Sequence, residues 1–148
     1  TGALSEPVDL AQEGYKVFFS GDWSLTAKLT FDRPVTGGTV FDFGTPIGVR
    51  VFAYFSASDL TFRICRDQHY CKYITARGQI GDGAEHEWIF AVSEFGIMSI
   101  IRDGALVAVN RLAMTVPSQS RPYYRLWIGR SLTNPKAFKG AIKDVKVF

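Results

Sequence analysis

The stretch DLTFRICRDQHYCKYITAR, residues 59–77, decides how the rest of the chain is read. Leu60, Phe62 and Ile64 are apolar, and Thr61 and Arg63 between them are polar. Alternation with period two marks a half-buried β-strand. Residues 72–77 repeat it, and residues 66–70 supply the turn. With Cys65 opposite Cys71, Arg63 falls opposite Tyr73, Thr61 opposite Thr75, and Asp59 opposite Arg77. Side chains alternate between the faces of a strand, so all of these share one face. The other face receives Phe62 opposite Ile74 and Leu60 opposite Ala76. One register thus separates apolar from polar residues and brings two cysteines within bridging distance, which predicts a Cys65–Cys71 disulfide. Five residues lie between the cysteines, whereas redox and zinc pairs usually have two. A single histidine in the gap leaves too few ligands for zinc. A bridge implies an oxidising compartment, extracellular or at the cell surface.

The same period recurs outward from this hairpin. Trp23, Leu25, Ala27, Leu29 and Phe31 share one face, with Ser24, Thr26, Lys28 and Thr30 on the other. Residues 48–55 place Val49, Val51, Ala53 and Phe55 opposite in sense to Arg50, Phe52 and Tyr54. Further strand-like runs cover 15–19, 39–43, 87–93, 97–102, 105–112, 123–129 and 138–148. Glycine, proline and aspartate punctuate them, as at Gly81-Asp82-Gly83, 117–122 and Thr133-Asn134-Pro135. Asp103-Gly104 reads as a two-residue type I′ turn. It pairs Ile101 with Leu106 and Ile100 with Val107, which predicts a hairpin covered on both faces. The one helical candidate, residues 5–13, is limited to a turn or two by Pro7 and Gly14. Many short strands at this spacing predict an all-β antiparallel sandwich or barrel. No linker interrupts the chain, so residues 1–148 are expected to form one domain.

Composition narrows the function. The 148 residues are 47% hydrophobic and include 12 Phe, which excludes a disordered chain. No apolar run exceeds five residues, too short for membrane insertion. The net charge is +3, and the basic residues are scattered and form no stripe, so no nucleic-acid partner is expected. The opening TGALSEPVDL lacks the basic end and apolar run of a secretory signal.

The C-terminal half carries an ordered series of motifs. Glu87-Trp88-Ile89-Phe90-Ala91-Val92 leads to Ile100-Ile101-Arg102-Asp103-Gly104, then Leu126-Trp127-Ile128-Gly129-Arg130-Ser131. Phe138-Lys139-Gly140-Ala141-Ile142-Lys143-Asp144-Val145-Lys146-Val147-Phe148 closes it. This order resembles the laminin G-like, concanavalin A-like jelly roll, as does Gly21-Asp22-Trp23-Ser24-Leu25-Thr26 near the start. The resemblance spans about residues 15–148 and is dense from residue 85 onward. It implies two antiparallel sheets packed face to face. It also implies binding of glycans, or of proteins at cell surfaces, often with calcium. Most matching residues, such as Trp88, Gly129, Gly140, Ile142 and Val145, shape the core. Fold alone does not settle function.

The residues bear on catalysis, sugar binding and calcium binding in turn. Sandwich glucanases need clustered carboxylates spaced E-x-D-x-x-E, one serving as acid and another as nucleophile or base. No such triple occurs. Glu85 and Glu87 flank His86, but neighbours on a strand point to opposite faces. No enzymatic activity is expected. Sugar binding needs flat aromatic faces and planar polar groups. Arg50, Tyr54, Arg63, Tyr73 and Arg77 project from the face opposite the expected core, and Trp127 alternates outward between Leu126 and Ile128. Three arginines suit an acidic sugar better than a neutral one. Equally, cross-strand Arg–Tyr pairs stabilise sheets that bind nothing. The hairpin tip adds Asp67 and His69, either as a binding loop or as a solvated end. For calcium, which takes several oxygens, Asp82 between Gly81 and Gly83 is the best single residue, followed by Asp59 and Asp67. A plain turn explains Asp82 as well. These readings converge on a carbohydrate-binding, lectin-like module with a glycan or glycoprotein partner. The alternatives are a protein-binding adhesion module of the same fold and a non-catalytic accessory domain of a glycosidase or sialidase.

Overall fold

The computed structural model describes residues 6–15, 22–111 and 125–148. Among these, the strands are β1 (Val8–Asp9), β2 (Trp23–Phe31), β3 (Gly37–Gly44), β4 (Arg50–Ser56), β5 (Asp59–Asp67), β6 (Tyr70–Ala76), β7 (His86–Val92), β8 (Met98–Arg102), β9 (Ala105–Asn110), β10 (Arg125–Ile128) and β11 (Gly140–Val147). They form two antiparallel sheets, β1-β10-β3-β4-β5-β6 and β11-β2-β7-β8-β9. No helix among the described residues is long and apolar enough to cross a membrane.

Alternation explains the sandwich. Every second residue of β2, from Trp23 to Phe31, is buried. The same sorting in both sheets sends Phe41, Phe43, Phe62, Trp88 and Phe90 into one shared core. Aromatic rings interlock there: Trp23 lies 6.0 Å from Phe62, and Phe41 lies 5.4 Å from Phe90. Each such side chain stabilises the fold by about 1.5–3 kcal/mol through burial alone. The edges β6 and β9 meet along one side, where the Asn110 amide donates to the Tyr73 carbonyl at 3.5 Å. Gly140 opens β11 at φ 144°, with its α-carbon against the Thr30 carbonyl, where a Cβ would collide. That contact accounts physically for the glycine of the closing motif.

The β5–β6 register matches the sequence reading, with Cys65 opposite Cys71, Arg63 opposite Tyr73 and Thr61 opposite Thr75. Cys65 and Cys71 are bridged. Three expectations are corrected. The opening piece is not a helix: β1 pairs with β10, and a single turn follows in which Gln12 and Glu13 donate to the Asp9 carbonyl. The buried Asp9 carboxylate sets that turn by accepting from the Ala11, Leu126 and Arg125 nitrogens. In the β8–β9 hairpin Ile101 does face Leu106, but a bulge puts Ile100 opposite Ala108 and not Val107. That hairpin is covered on one face only, since Leu106 is 55% and Val109 40% exposed. The predicted strand at 15–19 and the turn at 117–122 lie outside the described residues, apart from Tyr15, which is in no strand.

Candidate functional site

The outer face of the six-stranded sheet gathers most of the residues singled out in the sequence. One cross-strand row reads Trp127, Asp42, Phe52, Arg63 and Tyr73, each opposite the next. The rows beside it place Arg50 opposite Cys65, and Thr39 opposite Tyr54 opposite Thr61. Antiparallel pairing on one face brings such side chains within reach of each other. Tyr54 stacks on Phe52 with ring centres 5.5 Å apart, and the Arg50 guanidinium lies 4.0 Å from the Phe52 centre on the same platform. Arg130, from the loop after β10, covers Trp127 at 4.3 Å. Tyr73 is 59% exposed.

Asp42 organises this face. Its carboxylate is fully buried and accepts from Arg50 Nε at 2.8 Å and from a second Arg50 nitrogen at 2.5 Å. It also accepts from the Leu132 amide at 2.9 Å and the Ser131 hydroxyl at 3.3 Å. A bidentate guanidinium–carboxylate pair fixes orientation as well as charge. Asp42 thereby answers the Arg50 charge and pins the loop after β10 to the sheet. Arg77 is answered by Asp59 at 3.5 Å, at the exposed margin of the face. Arg63 has no carboxylate partner among the described residues, and its Nε is buried without an acceptor.

The hairpin tip is turned inward on itself. Asp67 accepts from the His69 and Tyr70 amides at 2.8 and 3.0 Å, and the His69 amide is the main cause of its lowered carboxyl pKa. The His69 ring touches the Gln68 amide at 3.2 Å. Asp67 and His69 therefore sit at one end of the sheet, away from the Trp127 row.

Asp82 lies apart, beside the five-stranded sheet. Its Oδ1 accepts from the Ala84 amide at 2.9 Å, and its Oδ2 meets His86 Nε2 at 2.6 Å and Arg102 at 3.3 Å. The other His86 nitrogen meets Asp103 Oδ2 at 2.5 Å, and Asp103 Oδ1 accepts from the Glu87 amide. Asp82 and Asp103, bonding both ring nitrogens, raise the His86 pKa. The Ala84 and Glu87 amides, ahead of His86, lower those of Asp82 and Asp103 respectively. These residues do not fit calcium, which takes six to eight oxygens. The His86 ring and the Arg102 guanidinium already engage the Asp82 oxygen, and no metal-binding cluster occurs among the described residues.

The sequence reading missed Asp42, Arg130 and Ser131. Asp42 was within reach, since it alternates between the core residues Phe41 and Phe43. Arg130 and Ser131 follow the last residue of β10, where no periodicity applies.

No protein-family model and no curated protein matches the chain. Solved structures do match in shape. The K499G mutant of NanB sialidase from Streptococcus pneumoniae superposes with a TM-score of 0.77 at 13% identity, over 100% of this chain and 25% of that one. The Ruminococcus gnavus IT-sialidase CBM40 gives 0.70 at 8% identity, over 99% of this chain and 89% of that one. Domains LG4-5 of the mouse laminin alpha1 chain give 0.68 at 15% identity, and this chain spans 38% of that length. The alternating strands, the two sheets and these superpositions together assign the chain the laminin G-like, concanavalin A-like jelly-roll fold.

Proposed function

We propose that the protein is a secreted or surface-displayed carbohydrate-binding module. The carrying observation is the outer face of the six-stranded sheet, where Tyr54 and Tyr73 flank Arg63, which has no carboxylate partner among the described residues, and Trp127 lies further along the same cross-strand row. Aromatic faces suit the apolar side of a pyranose, and a guanidinium fork suits its hydroxyls. The disulfide supports an oxidising location. A non-catalytic role is favoured because the buried carboxylates on this face, Asp9 and Asp42, are committed to arginines and backbone amides. Similar solved structures include a sialidase CBM40 and a botulinum neurotoxin DC binding domain in complex with SialylT. A role as accessory domain of a larger glycosidase or sialidase is compatible with this reading.

The test is a glycan array probed with wild type, Tyr54→Ala and Trp127→Ala. Each variant is expected to lose about five- to tenfold in affinity while keeping its melting temperature within a few degrees. A second reading, a protein-binding adhesion module, draws support from the exposed Leu106 and Val109 on the other sheet. A silent array with folded protein favours that reading.

A further inference from the structure

A cavity of about 220 Å3 opens at the start of β3, lined by Thr36, Gly37, Thr39, Ser131, Asn134 and Lys136. It borders the proposed platform, because Thr39 pairs directly with Tyr54 and Ser131 bonds the Asp42 that holds Arg50. Its volume far exceeds the ~10–15 Å3 that one water centre requires. Its chemistry is donor-rich. Asn134 Oδ1 accepts from the Lys136 amide at 3.0 Å, and no acceptor engages the Asn134 NH2 among the described residues. Thr36 and Thr39 contribute hydroxyls, and Lys136 contributes an ammonium. No carboxylate lines the cavity, and no ion pair engages Lys136 among the described residues. Gly37 leaves the floor without a side chain, and the loop bearing Asn134 and Lys136 forms a wall that Asp42 anchors through the Leu132 amide.

An ammonium among neutral donors, with no anion to satisfy it, is suited to an oxyanion. The charge balance of the platform points the same way. Asp42 answers Arg50 and Asp59 answers Arg77, so the arginine face holds less free positive charge than its composition suggests. We propose that this cavity is a subsite for the anionic substituent, carboxylate or sulfate, of a sugar whose ring lies on Tyr54. Lys136 then sets the preference for acidic sugars, and Arg63 serves ring hydroxyls shared by neutral and acidic ligands. This rests on the glycan-binding reading above.

The test uses the whole chain and matched oligosaccharides on one neutral scaffold: unsubstituted, sialylated and sulfated. Lys136→Ala is expected to weaken the acidic members roughly fivefold, near the ceiling for an exposed ion pair. The neutral member should change less than about twofold. Arg63→Ala should weaken all three alike. The stronger of the two acidic responses identifies carboxylate or sulfate as the fitted group. Rising salt should erase the acidic advantage in wild type and leave Lys136→Ala indifferent. Amide NMR shifts at Gly37, Gly38 and Thr39 on adding the acidic ligand, absent with the neutral one, would place the substituent. If Tyr54→Ala loses binding but Lys136→Ala keeps the full acidic preference, the subsite is wrong and the platform stands. If no member binds, or Tyr54→Ala binds all as wild type does, both readings fall.

Discussion

Trp88, 1% exposed in mid-strand, shows what a single buried residue contributes. Its motif position and its alternation with Phe90 and Val92 both place it in the core. Trp88→Ala should cost about 3–5 kcal/mol in chemical denaturation. The indole N–H is buried without an acceptor among the described residues. Trp88→Phe should therefore cost clearly less than the alanine variant, since it removes an unsatisfied donor along with some volume. Arg63 tests function at the same scale. Its Nε also lacks an acceptor, and its guanidinium lies 5.9 Å from the Phe52 ring. Arg63→Lys keeps the charge but loses the planar fork. Glycan affinity should fall nearly as far as in Arg63→Ala, while the melting temperature barely moves. Unchanged affinity in both variants, with a lowered melting temperature, would make Arg63 a brace for the hairpin. Alternation alone shows which way Arg50, Arg63 and Trp127 face, because it needs only the parity of the strand. Whether a charge is free or answered is a different matter. Asp42 and Arg50 are joined across two strands, and nothing local to either residue announces the pair.

At the level of elements, two hairpins make separate predictions. The β5–β6 hairpin was legible from Leu60 to Cys65 because one register satisfied apolar sorting, polar sorting and the cysteines together, whereas the shift between Cys65 and Asp67 at its tip was not. The bridge closes a short loop, so Cys65→Ser with Cys71→Ser should cost less than the ~3 kcal/mol expected of a ~15-residue loop. Hydrogen exchange should quicken mainly around the Asp67–Tyr70 tip. The β8–β9 hairpin was legible at its turn but not beyond it. Asp103-Gly104 has the positive φ angles of its turn type, 49° and 82°, yet the bulge after Ile101 shifts every later pair. A bulge adds a residue without changing the apolar pattern enough to reveal itself. His86 ties the loop bearing Asp82 to this hairpin through Asp103. Its raised pKa means protonation favours the folded state. That contribution is complete below the ordinary value of 6.5 and fades as pH rises through the raised value. The lowered Asp82 and Asp103 values act oppositely, and their contribution is lost only as pH falls below the ordinary 3.8. Wild type should thus lose melting temperature above pH 6.5 relative to His86→Gln. Parallel curves for the two proteins across that range would show that the tie adds nothing.

For the whole molecule, the architecture was legible because alternation, turns and closing motif agree, whereas the placement of loops against the sheets was not. The loop after β10 reaches across to β3 by tertiary contacts to Asp42, which local sequence does not encode. The edge strand β11 carries Lys139 just before it, Lys143 and Lys146 along it, and a bulge at Asp144, whose φ is 54°. Lysines and bulges at an edge discourage another chain from adding a strand. On its inner side β11 completes the sheet by pairing Ile142 with Leu29 and Val147 with Leu25. Those partners come from opposite ends of the sequence, which matters during synthesis. Strand β2 leaves the ribosome well before β11 and, among the described residues, has no neighbour on that side until β11 has been made. At ~5–20 residues per second the wait lasts several seconds. Pairings so distant also fold slowly, in milliseconds to seconds. A nascent chain stalled before Gly140 should stay sensitive to protease at Trp23–Phe31, and extension beyond Val147 should abolish that sensitivity. Until then β2 can pair with β7 on one side only, and its other edge stays open, a ready target for a holdase chaperone.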